Sequence, residues 1–303
     1  MMTTRISETL TQNIVAGGVR YMRHTIDGDS FRLLMRFNMG ESGFDYLDFI
    51  FSQTPNQEYK IVDWYALSRG QLASTSIGAV SSLMLKPSKN LFKRVLGLSD
   101  INHSVIDTFR VMMELFRDKK FSSAYEKYLT LPAEVRQHYV ILTFGISLAN
   151  FSQDDQAYID LLDQLAKYHG DKAEAAFLLI DHYFFAENWA GALRTIDAIE
   201  HSVGIDGMTS LLRANIYLSQ EDAKNTILHA KKAVTIEPDM VDAYFSLALG
   251  YVMNRQYVLA VEAYDILINQ HGYEFVKESF AEDDVYRDFI HSEPFKYWNI
   301  YTQ

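Results

Sequence analysis

Tyr183, Tyr217 and Tyr251 stand 34 residues apart, and neighbouring columns keep the same step: Ile199, Ala233 and Leu267; Ile196, Ala230 and Tyr264; Phe177, Leu211 and Phe245. A fixed period of this length marks a helical repeat array, in which one unit cannot bury its own apolar face and stacking makes the core. Stacking also leaves an extended inner surface, so holding another molecule is the activity to which the pattern points.

Counting outward from Tyr251, the phase reaches back to about Val105 and gives five units, beginning near Val105, Tyr139, Ala173, Gly207 and Val241. Each reads as two antiparallel helices. In the last unit Ala243, Tyr244, Leu247, Ala248 and Tyr251 share one helical face; after a turn at 254–256, Ala260, Ala263, Tyr264 and Leu267 form the second. Ala248 and Ala260 permit close helix crossing, while the tyrosines fill the space between successive hairpins. Gly170, Gly204, Pro238 and Gly272 recur at one phase, where the second helix has to stop and the chain has to turn.

These residues resemble the tetratricopeptide repeat (TPR) family. The resemblance rests on Tyr244, Leu247, Ala248, Tyr251, Ala260 and Tyr264 in one unit, and on Ala214, Tyr217, Ala230, Ala233 and Pro238 in the unit before. The unit from Ala173 keeps Leu179, Tyr183, Ala192, Ile196 and Ile199; that from Val105 keeps Leu115, Ala124, Tyr128 and Leu131. In the unit from Tyr139, strict phase puts Tyr158 at the small-residue position, whereas a one-residue slip puts Ala157 there, with Phe144, Gly145 and Leu148 in the first helix. The implied fold is mainly α: a TPR-like α-solenoid of about five helix pairs plus capping helices over 101–303, preceded by a small α+β domain with an antiparallel meander over 1–100.

In this family the first helix of each unit lines the concave side. The resemblance therefore implies a largely apolar partner-binding groove with Phe109, Phe177, Asp181, Phe184, Leu211, Asn215, Phe245 and Leu249 on its inner columns. Asn215 stands where some family members grip a peptide backbone or terminal carboxylate. Leu211 replaces the matching basic residue, which argues against a carboxylate clamp. Two readings stay open: an empty groove that accepts an amphipathic helix or extended peptide, or a groove filled by the amino-terminal domain.

Before the array the pattern changes. Ile6, Leu10, Ile14 and Tyr21 mark a helix face, and three short runs rich in aromatic and β-branched residues follow, at Phe31–Asn38, Phe44–Phe51 and Tyr59–Leu67. Turn residues separate them, which gives a helix leading into a meander. Residues 31–76, with Arg32, Gly43, Asp45, Tyr46, Asp63, Gly70, Gln71 and Ser74, resemble a small domain that precedes such repeats in some bacterial proteins. A sheet needs its apolar face covered, and residues 72–98 are expected to fold back over it as helices. At the other end, Tyr273, Phe275, Phe280, Tyr286, Phe289, Phe295, Tyr297 and Trp298 read as capping helices for the terminal repeat, or alternatively as a docking or dimerisation surface.

Composition bounds the partners. With 48% hydrophobic and 22% charged residues, 303 residues can build a large core. Lys and Arg against Asp and Glu number 11 to 9 in residues 1–100 and 17 to 30 in residues 101–303, so the repeats carry −13. That field repels phosphate backbones and anionic lipid, which argues against nucleic acid, and two roles for the charge stay open: solubility alone, or selection of a basic partner. No apolar run of membrane-spanning length and no secretory apolar region occur in this sequence. A cytoplasmic location is the default expectation, with a periplasmic one if sequence upstream is missing. Zero Cys excludes thiol chemistry, and the nine His make no His-Glu-x-x-His unit, so neither cofactor nor metal is expected.

The chain is thus read as a noncatalytic interaction module. An alternative places a ligand pocket or hydrolase in the amino-terminal domain, around Asp45, Asp63, Tyr46 and Trp64, because two carboxylates facing one pocket can do acid-base work. Asp45 and Asp48 are expected on opposite faces of their strand, with edge charge or pairing to Arg32 and Arg36 as their structural roles.

Overall fold

The computed structural model describes residues 18–28, 30–38, 43–74, 103–172 and 175–298. The chain divides into two compact units, Met1–Ala186 and Glu187–Gln303. The fold is the mainly α one expected, with an antiparallel meander ahead of TPR-like helix pairs.

In the first unit β1 (Val19–Asp27), β2 (Ser30–Asn38), β3 (Phe44–Gln53), β4 (Tyr59–Ala66) and the two-residue β5 (Gln71–Leu72) form one sheet in the order β1-β2-β3-β4-β5, each pair antiparallel. The three expected strands are β2, β3 and β4. The helix expected to run through Tyr21 is corrected at that end, since Tyr21 lies in β1 opposite Met35. Val19, Tyr21, Thr25 and Ile26 favour a pleated strand, and Gly28, with φ +58°, supplies the left-handed residue of the hairpin that sets Asp27 against Ser30. Ile6, Leu10 and Ile14 lie outside the described residues, as does most of the segment 72–98. One sheet face is aromatic: Phe31 packs on Phe51 and Tyr59, and Phe49 on Phe37 and Trp64.

The helices follow the period closely. The first unit contains α1 (His103–Arg117), α2 (Phe121–Leu129), the one-turn α3 (Ala133–Arg136), α4 (Tyr139–Phe151), α5 (Asp155–His169) and α6 (Ala176–Phe185). The second contains α7 (Trp189–Val203), α8 (Gly207–Ser219), α9 (Ala223–Ile236), α10 (Val241–Met253) and α11 (Tyr257–His271), then α12 (Arg287–Ile290) and α13 (Glu293–Tyr297). Helices α2, α5, α7, α9 and α11 begin on the same phase: Phe121, Asp155, Trp189, Ala223 and Tyr257.

The turns within the pairs explain that regularity. Lys119, Gln153, Glu187, Glu221 and Arg255, again 34 apart, are all left-handed, with φ between 51° and 58°. In four of the pairs the next N–H reaches five residues back, to Leu115, Ala149, Tyr217 and Tyr251, which is the Schellman closure of a helix end. Asp154, Asn188 and Asp222 then cap the following helix through their side chains. None of these left-handed residues is Gly, so the turn leaves little trace in composition.

This register corrects the slip considered for the unit from Tyr139. Helix α5 starts on strict phase, so Tyr158 does stand at the position held elsewhere by Ala124, Ala192 and Ala260. Its hydroxyl donates to Asp181 at 2.7 Å. In α4, a Cβ on Gly145 would lie 2.4 Å from the Tyr128 ring, so Gly there is what admits the fully buried Tyr128. Among the expected stops, Gly204 and Gly272 are left-handed at φ 88° and 72°, whereas Gly170 stays α-helical at φ −64°.

The aromatic tail closes the second unit. Tyr264 of α11 is ringed by Phe275, Phe280, Phe289 and Trp298, its hydroxyl lies 3.0 Å from that of Tyr286, and Trp298 Nε1 donates to Asp265 at 2.7 Å. Phe280, Phe289, Phe295 and Trp298 are buried inside the unit. They supply the apolar cover that the last helix pair lacks from a further repeat.

Candidate functional site

The eight inner-column residues fall into different environments. In the first unit Phe109 is a core residue, 4% exposed. Phe177 of α6 meets the ring of Phe44, the first residue of β3, edge to face at 5.1 Å between centroids, and Phe44 also packs on Tyr46. Asp181 accepts from Tyr158, and Phe184 is 39% exposed. In the second unit Leu211 is buried beside Ala233 and Ala243. Phe245 is covered by Tyr273 and Phe275 at 5.0 and 6.0 Å. Leu249 is half-buried.

Phe109 and Leu211 are therefore core, and Phe177 and Phe245 are covered by other parts of the same chain. Of the two readings left open, an empty groove and one filled by the chain itself, the environments of these four residues fit the second. The physical reason is that an exposed phenyl column is costly in water, and segments outside the period supply the cover. Asn215 has a different setting. Ser246 Oγ has one proton to give, and two acceptors within reach of it, Asn215 Oδ1 at 2.7 Å and the Asp242 carbonyl at 3.1 Å, of which Asn215 is the nearer. With its oxygen engaged, the Asn215 amide presents its NH2 end as a donor. Neither Ser246 nor Phe44 was singled out for the groove in the sequence. Ser246 stands one residue past the Phe245 column, and the Phe44 contact leaves no local pattern.

The carboxylates of the sheet are engaged structurally. Asp45, buried, accepts from Tyr46 N and Ser68 N, and from Ser68 Oγ at 2.6 Å, which ties the start of β3 to the 3-10 turn Leu67–Arg69. Asp63 accepts from Trp64 N, Ser74 N and Ser74 Oγ. Burial acts to raise the Asp63 carboxyl, but the Ser74 and Trp64 hydrogen bonds outweigh it and hold the group below the usual carboxylate range. Asp48 pairs with Arg32, as expected.

Register divides the four residues of the alternative constellation between two faces. Asp45 opposes Phe37 and Asp48 opposes Leu34, on opposite faces; Asp63 opposes Ile50 and Trp64 opposes Phe49. By the two-residue alternation, Asp63 and Tyr46 share one face, while Asp45 and Trp64 share the other. An open depression of about 340 Å³ on the sheet is lined by Arg23, Thr25, Arg32, Leu34 and Asp48, none of which belongs to that set. Among the described residues no three His, Asp or Glu side chains gather as a metal-holding group, and no helix is long and apolar enough to cross a membrane.

No protein-family model matches the chain, and no curated protein does. Among solved structures the crystal structure of MamA protein aligns with 58% of this chain and 100% of that chain, at 14% identity and a TM-score of 0.43. A likeness that loose carries no argument about role.

Proposed function

We propose that the protein is a noncatalytic interaction module that holds a protein or peptide on the inner face of its repeats, and that in the second unit the contact centres on Asn215 and Leu249. The observation that carries this reading is the Ser246–Asn215 hydrogen bond. It orients a side-chain amide as a donor toward a partner's backbone carbonyl, on the same column as the half-buried Leu249. The −13 charge of residues 101–303 selects for a basic partner and against nucleic acid. Residues 1–100 belong to this proposal as a separate sheet domain that accompanies the array 101–303.

Affinity capture from source cells tests the site, using wild type, Asn215→Ala, Leu249→Asp and, as a control on α9, Leu228→Ser at a position 59% exposed. The expected result is that Leu249→Asp loses the specifically captured protein, Asn215→Ala weakens it about tenfold, as loss of a hydrogen bond of roughly 1.4 kcal/mol requires, and Leu228→Ser retains it. Equal recovery by all four folded proteins overturns the assignment.

A further inference from the structure

The aromatic face of the sheet carries a row that reads the same from either edge. Register places Ile26 of β1 opposite Phe31 of β2, Phe31 opposite Phe51 of β3, and Phe51 opposite Ile61 of β4. Ile-Phe-Phe-Ile therefore crosses four strands on one face. Its two ends are exposed, Ile26 at 72% and Ile61 at 49%. Tyr59 and His24 both meet the Phe31 ring, at 6.1 and 5.7 Å between centroids, and Tyr21 lies beside His24 at 6.2 Å. Tyr21 and Tyr59 are each 54% exposed. The Tyr21 hydroxyl is 2.6 Å from His24 Nδ1, so these two polar atoms satisfy each other and covering the platform strands neither. With about 200 Å² for a whole side chain of this size, the platform exposes on the order of 500 Å². A contiguous apolar patch of that extent marks an interaction surface.

We infer that this platform takes a second copy of the chain, sheet on sheet about a two-fold axis. Symmetry of the row selects that occupant. An axis between the copies and along the strands lays Ile26 of one over Ile61 of the other and Phe31 over Phe51, so each copy presents the surface that the other needs. No Lys, Arg, Asp or Glu stands in the row, so setting it against itself brings no like charges together. Sheet faces pack about 10 Å apart with their side chains interdigitating, which a flat row of Ile and Phe permits. Two copies bury about 1,000 Å², the size at which a specific interface begins. This contact goes beyond the one proposed at Asn215 and Leu249 and does not depend on it.

Sedimentation equilibrium of the full chain, from about 1 to 100 μM, tests the inference. Wild type is compared with Ile26→Glu, with Ile61→Glu at the opposite end of the row, and with Val258→Glu, a position on α11 that is 60% exposed. Wild type and Val258→Glu are expected to reach twice the mass of one chain. Each row variant is expected to associate at least about a hundredfold more weakly, because its carboxylate would be buried without a partner. Mixing Ile26→Lys with Ile61→Glu sets the lysine of one chain over the glutamate of the other, and is expected to restore the association that each loses alone. A wild type that stays monomeric throughout overturns the inference, including one that instead floats with phosphatidylcholine vesicles. A dimer that Ile26→Glu and Ile61→Glu leave intact overturns it equally, since the contact then lies on another face. Both positions already face water, and where one variant does not fold the other decides.

Discussion

Each unit covers one phenyl ring of its inner column, but by different means. In the second unit Phe245 is covered by Tyr273 and Phe275, which follow α11 directly and join the rings around Tyr264. In the first, Phe177 is covered by Phe44 from a sheet far upstream, with a 3-10 turn beside it. A cover drawn from the chain's next segment merges with the core and behaves as structure. A cover drawn from a distant segment meets its helix, among the described residues, through one ring pair and one turn.

The largest effect that sharpens this contrast comes from comparing Phe289→Ala with Phe44→Ala. Phe289 is fully buried and touches Tyr257, Tyr264, Phe280 and Phe295, so its loss is expected to cost about 3–5 kcal/mol and to expose the amides of α11 to hydrogen exchange. Phe44→Ala is expected to leave α11 protection unchanged and to destabilise by less than half as much. Similar losses from the two variants, measured by urea denaturation, break the contrast between the two covers.

Next in size is Gly145→Ala. Its Cβ meets the Tyr128 ring at 2.4 Å, and accommodating the overlap is expected to cost about 1–3 kcal/mol, seen as faster exchange of α2 and α4. Tyr128→Phe removes the hydroxyl at 2.7 Å but leaves Cζ at 2.4 Å and is not expected to rescue it fully, whereas Tyr128→Leu is.

Acid sharpens the comparison further, because each unit buries a histidine. His138 in the first and His229 in the second each carry a buried Nδ1 with no hydrogen-bond partner. Burial lowers both below the ordinary imidazole value, helped by Lys172 and His169 at His138 and by Arg213 and Lys232 at His229. The unfolded chain takes up these protons near pH 6.5 while the folded chain resists them. Stability is therefore unaffected well above that pH and declines as pH falls below it. His138→Gln is expected to flatten the decline in the first unit and His229→Gln in the second, read from urea midpoints and unit-resolved hydrogen exchange at pH 7.5 and 5.5. A decline that neither variant changes assigns acid sensitivity elsewhere.

The smallest effect tests whether the repeats are equivalent. Gln153→Gly and Glu221→Gly replace left-handed residues at one phase, one in each unit. Relief of a left-handed strain of about 1–2 kcal/mol, offset by roughly 0.5–1 kcal/mol of added chain entropy, is expected to leave both variants slightly more stable in thermal melts. Opposite signs in the two units break the equivalence.

Much of this was legible in the sequence, for a definite reason. Tyr139, Gly207 and Val241 open their helices as the period demands, and Tyr273 to Trp298 form the expected cover, because each reports on residues within one or two turns of chain or on the next hairpin. Strand β1 was misjudged because Ile6, Leu10, Ile14 and Tyr21 satisfy a helical spacing that pairing with β2 overrides at its last member. The repeated left-handed turn was missed because Lys, Gln, Glu, Glu and Arg at that phase share a backbone conformation and no side-chain chemistry.

The sequence by itself determined the helical phase and the order of strand-rich runs ahead of an acidic, helix-patterned stretch, since periodicity and net charge are properties of residue order. Only the tertiary structure decided which inner residues are core, which are covered and by what, and that Asp45 and Asp63 point to opposite faces of the sheet. Those outcomes depend on strand register and on contacts between residues far apart in the chain, and no local pattern encodes either.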